Sequence, residues 1–194
     1  MRPLELRARI ANPPEDLVAK YTRKEREFFF DYANFVMRSL NGPQVGENLR
    51  HLLEAENIHI NRVIDLRVMV FPARPLRGHP RNILHGSYNQ DTAQISLYPL
   101  KVKREWVRQE GYNLFKTPLE QRSLVQRKLL DEAYLSAIST LIHEVLHVKF
   151  ETRQLSRYVE EAIVRKLEKK YVQEWVAKLE SRPLETPFNQ TTHA

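Results

Sequence analysis

Cysteine is absent from all 194 residues of this chain. That excludes disulfides, cysteine-based zinc sites and thiol nucleophiles, so any metal must be held by His, Asp or Glu. No apolar run approaches the length of a membrane span. Glycine occurs only five times, and neither an internal repeat nor a low-complexity tract is present. The opening stretch "MRPLELRARI" carries charges at Arg2, Glu5, Arg7 and Arg9, with no apolar core of signal-peptide length. The expectation is therefore a cytoplasmic protein with no membrane partner.

What is present is a hydrophobic fraction of 42% and a charged fraction of 28%, which suits a soluble globular chain and not a disordered one. The length fits one domain with an elaborated end, long enough to bury a sizeable core. The formal net charge is +7. A basic surface of this kind fits nucleic acid or another acidic partner, but the basic residues are spread along the chain with only mild clusters, at 101–104 and 165–170.

The pattern predicts an α+β fold. Residues 14–40 read as one helix, with Leu17, Val18, Tyr21, Phe28, Phe29, Tyr32, Phe35, Val36 and Leu40 close to a helical period. A shorter helix over about 44–55 follows "NGP", making an N-terminal helical pair. Three strands are expected next, in "RVIDLRVMVF" (62–71), "ILHGSYN" (83–89) and "AQISLYPL" (93–100), forming a small antiparallel sheet. "TPLE" at 117–120 predicts a helix start with Thr117 as the cap, running to about Lys149 with one break near Ser123. A last helix spans about 156–179. The expected organisation is an N-terminal helical segment (1–60) packed on a main domain (61–181), then a polar tail (182–194).

The chemistry concentrates in "LIHEVLHVKF", 141–150. On a helix, positions i and i+4 lie about 40° apart around the axis, so His143 and His147 project from one face. Glu144 sits at the flank of that pair. H-E-x-x-H places two metal ligands one turn apart, with a general base beside a metal-activated water. The flanking "AISTLI" and "VL" are apolar, and burying two imidazoles and a carboxylate without a partner is costly.

A zinc hydrolase needs a third protein ligand. No histidine follows His147 before His193, so a histidine is not the expected third ligand, and the last helix offers carboxylates instead. With Val159, Ile163, Leu167, Val164 and Tyr171 taken as its apolar face, Glu160 falls in the middle and Glu161 on the edge. Glu160 is the expected third ligand and Glu161 the reserve.

"HEVLH", followed thirteen residues later by Glu160 in "VEEAIVRKL", resembles the gluzincin group of zinc metallopeptidases, and more narrowly the compact minigluzincin and ImmA/IrrE-type proteins. The resemblance covers about 62–180. It implies a small sheet before the H-E-x-x-H helix and a glutamate helix after it. "HGSYNQDTAQISLYP" then resembles the paired strands, one of which forms the upper rim of the cleft. His85 and Tyr88 stand there as candidates to hydrogen-bond a tetrahedral intermediate. The chain departs from the group four residues after Glu160, where Val164 stands in place of an acid. The implied activity is hydrolysis of protein or peptide bonds with Zn²⁺ held by His143, His147 and Glu160, and Glu144 as base. The alternative is a basic binding protein for nucleic acid or a protein partner, with a structural or vestigial metal site.

Overall fold

The computed structural model describes residues 7–59, 64–73, 84–99, 111–151 and 153–180. The tail expected over 182–194, with His193, lies outside them, as do the ends of the expected strands at 62–63, 83 and 100.

The α+β class holds. Among the described residues the elements run β1 (Ala8–Ala11), α1 (Glu15–Val18), α2 (Arg23–Leu40), α3 (Pro43–Ala55), β2 (Asp65–Met69), β3 (Gly86–Asn89), β4 (Gln94–Leu97), α4 (Leu124–His147) and α5 (Arg157–Glu180). The helix expected over 14–40 is two helices. Thr22 restarts the chain with a capping box: its hydroxyl accepts from the Glu25 N–H at 3.3 Å, and its own N–H donates to Glu25 Oε2 at 2.8 Å. The same device starts α4. Ser123 and Gln126 exchange bonds of 3.0 and 3.1 Å, so the helix begins at the expected break and not at Thr117. Thr117 is followed instead by a 3-10 turn, Leu119–Gln121.

The sheet has four strands in the order β1-β2-β4-β3, where three antiparallel strands were expected. Only β3 and β4 pair antiparallel; β1 with β2 and β2 with β4 are parallel. The unexpected strand, β1, arises from a short alternation in which Ala8 is buried and Arg9 points outward. Arg9 reaches across to Asp65 on β2 with bonds of 3.0 and 2.9 Å. The Asn41 side chain, just past α2, holds both polar groups of the Ala8 backbone, at 2.8 and 3.0 Å. The segment before residue 60 therefore contributes a strand as well as helices.

The hairpin is laid down so that β4, with Ile95 and Leu97 buried, is interior. The polar strand "GSYN" of β3 takes the edge, where an unpaired ladder costs least in solvent. β3 and β4 pack against α4, whose Ile138, Leu141, Ile142, Val145 and Leu146 are all but fully buried. α2 and α5 cover the other flanks of α4.

A partly buried ion pair ties the turn after α4 to its neighbours. Lys149 Nζ meets Glu56 Oε2 at 2.5 Å, and the Tyr171 hydroxyl on α5 donates to the other Glu56 oxygen. Burial raises the Glu56 carboxyl, but the Lys149 and Tyr171 bonds outweigh it and hold the group below the ordinary glutamate range. A lowered carboxyl stabilises the fold at pH above its unfolded value and loses that contribution as pH falls through its folded one. Lys149→Met, which leaves Glu56 charged with only the Tyr171 hydroxyl bound to it, should cost about 1–3 kcal/mol in urea unfolding at neutral pH. The deficit relative to the parent chain should shrink on acidification below about pH 4; a constant deficit would separate it from the ion pair.

Candidate metal centre

The last turns of α4 carry the histidines, and the first turns of α5 face them. Partners run in opposite order, His147 with Glu160, His143 with Glu168 and Tyr134 with Trp175, so the two helices are antiparallel. Ser156, whose hydroxyl accepts from the Val159 N–H at 3.4 Å, caps α5 just before this face.

The structure brings His143, His147 and Glu161 into one group whose ligand atoms all lie within 4.8 Å of one another. The two Nε2 atoms are 3.2 Å apart. The Glu161 oxygens lie 3.6 Å from His143 Nε2 and 3.7 Å from His147 Nε2. Glu160, the expected third ligand, is not in this group. It sits on the other side of His147, 2.6 Å from Nδ1. The physical reason is a rotation of α5 about its axis. Val159 and Ile163, taken from the sequence as inward, are exposed, while Val164, Tyr171 and Trp175 are buried. Turning the helix by about one residue, roughly 100°, exchanges the roles of the adjacent glutamates.

Glu168 occupies Nδ1 of His143 at 2.9 Å and also accepts from the Ser139 hydroxyl. Sequence reading missed Glu168 and Ser139, although Glu168 stands seven residues after Glu161 and so shares its face of α5.

Four carboxylates, Glu144, Glu160, Glu161 and Glu168, surround the two imidazoles. Burial lowers the His143 imidazolium, but its bond to Glu168 and the charges of Glu144, Glu168 and Glu161 outweigh this and raise it. Burial likewise raises Glu168, and the bonds from His143 and Ser139 outweigh it and hold that carboxyl low. Glu144 goes the other way. It is 7% exposed, and burial, supported by the charges of Glu161 and Glu168, raises its carboxyl above the ordinary range despite both imidazoles. The histidines and Glu161 are 16–30% exposed, so the centre opens to solvent on one side.

β3 lies over Glu144 through Gly86, the residue after His85. The His85 side chain is exposed, and its backbone carbonyl accepts from the Tyr98 N–H at 2.8 Å. Tyr88 is partly buried against the core. Neither joins the His143, His147, Glu161 group. Comparisons with protein-family models, with curated proteins and with solved structures find no match.

Proposed function

We propose that this chain is a zinc-dependent hydrolase of peptide bonds, with Zn²⁺ held by His143 Nε2, His147 Nε2 and a Glu161 oxygen. The observation that carries this reading is the pairing of both Nδ1 atoms with carboxylates, Glu168 at 2.9 Å and Glu160 at 2.6 Å. An ionised carboxylate only accepts, so a neutral imidazole paired with one carries its proton on Nδ1 and presents Nε2 as a lone pair. Two lone pairs facing each other at 3.2 Å repel unless a cation or a proton lies between them. Two nitrogens bound tetrahedrally at about 2.0–2.1 Å would stand about 3.3 Å apart, which matches. Histidines oriented by an outer carboxylate are the usual partners of zinc. Among the described residues no fourth donor joins the group, and three protein ligands with one open position is the catalytic pattern.

Zinc, when bound, lowers the pKa of water and polarises a carbonyl. The residues of the chain do the rest. Glu144, with its carboxyl raised by burial, takes the proton from the attacking water and returns it to the leaving amine nitrogen. Glu160 and Glu168 hold the imidazole planes. A peptide substrate suits the edge strand. His85 and Tyr98 form a hydrogen-bonded pair, so by alternation the Gly86 and Tyr88 backbone groups point away from β4, toward an edge that pairs with no further strand among the described residues.

The test is elemental analysis joined to a peptidase assay on a denatured protein. The expected result is about one zinc per chain, hydrolysis lost on chelation and regained with zinc. Zinc at a thousandfold excess over its Kd should add about 4 kcal/mol of stability. A metal-free chain whose Tm ignores added zinc sinks the reading.

A further inference from the structure

We propose that Gly86 is a positioning residue for the Glu144 carboxylate, an inference that rests on the hydrolase reading above. Glycine is not required at this position by its backbone, because Gly111 is the one described glycine with positive φ. What the position requires is space. A Cβ built on Gly86 would lie 2.5 Å from Thr140 Cγ2, 2.6 Å from Glu144 Oε1 and 2.9 Å from Glu144 Cγ. Gly46, by contrast, has nothing within 4 Å of such a Cβ.

Of the two side chains under Gly86, only one is free to move. Thr140 is β-branched, and its Oγ1 donates to the Ser136 carbonyl at 2.8 Å, which fixes its rotamer. Glu144 is surrounded by charges and buried atoms, and no described residue hydrogen-bonds its carboxylate. A methyl group on β3 therefore displaces the Glu144 carboxylate, and no atom of His143, His147 or Glu161 is among the three nearest that it would meet. The close approach of a bare backbone holds the base where a proton must be collected. A shift of about 1 Å in such a group can cost a hundredfold in rate.

The experiment uses the full chain loaded with zinc. Gly86→Ala should keep zinc content and affinity, lower kcat by about tenfold or more, and leave KM within about twofold. Gly46→Ala should leave all of these unchanged. A second readout does not depend on activity. Gly86→Ala should lower Tm by about 3 °C or more in a Thr140→Ser chain, which keeps the Oγ1 bond and removes the obstructing methyl, and by much less in a Thr140→Ser/Glu144→Ala chain, where the Glu144 atoms are gone as well. If Gly86→Ala does not fold in the Thr140→Ser chain, recovery of folding on adding Glu144→Ala supports the same coupling, and failure to recover overturns it. An unchanged kcat, a loss of zinc, or an equal Tm drop in both backgrounds also overturns it. A parent chain without zinc or hydrolysis would defeat the hydrolase reading, while the Tm comparison still decides whether Gly86 acts on Glu144.

Discussion

Glu144→Gln will bind zinc as the parent chain does and hydrolyse a denatured protein about 10²–10⁴-fold more slowly, the range a positioned general base contributes. The amide keeps the shape of the carboxyl but cannot take a proton. Glu144 lies outside the group formed by His143, His147 and Glu161, so no metal ligand is touched. The same change should raise Tm at neutral pH. Burial raises the Glu144 carboxyl, which means that its ionised form is disfavoured in the folded state. Above the unfolded carboxyl range, keeping it charged costs stability, and the neutral amide removes that cost. A more stable and inactive variant is the signature of a residue kept for chemistry at the expense of the fold. Zinc loss equal to that of His143→Ala would instead make Glu144 a ligand, and full activity would remove it from the reaction.

The second large effect is a ranking of zinc affinities. His143→Ala, His147→Ala and Glu161→Ala each delete a ligand and should abolish stoichiometric binding in a chelator-competition assay. Glu160→Ala and Glu168→Ala delete the carboxylate behind an imidazole and should weaken binding about 10–100-fold. Ser139→Ala, which reaches His143 only through Glu168, should do less than Glu168→Ala. The informative comparison is between neighbours. Glu161→Ala losing less zinc than Glu160→Ala would mean that α5 presents the other glutamate to the metal.

Helix geometry alone places His143, Glu144 and His147. Once 141–150 is helical, four residues of spacing puts two imidazoles on one face whatever the rest of the chain does. The capping boxes at Thr22 and Ser123 were equally local, written as Thr-x-x-Glu and Ser-x-x-Gln; the first explains a start that the apolar period set at 14, and the second prevails over the rival cap at Thr117. Composition likewise determined that any metal site here is built from His and carboxylates.

The choice between Glu160 and Glu161 was not local. "YVEEAIVRKLEKKYVQEW" carries two apolar stripes, one through Val159 and Ile163 and one through Val164, Tyr171 and Trp175. Rotation of α5 follows the stripe that buries more area, and two aromatic rings outweigh two aliphatic side chains. Only the packing against α4 decides this, and it carries Glu161 to the two Nε2 atoms. The order of the sheet was tertiary too. Periodicity marks residues as extended but does not choose their partners, so the parallel pairing of β2 with β4 and the edge position of β3 depended on which strand could be buried against α4. That edge position brings Gly86 onto Glu144, a contact between residues 58 positions apart (144 − 86). No local pattern encodes such a contact, because it exists only when the sheet and the helix close on each other.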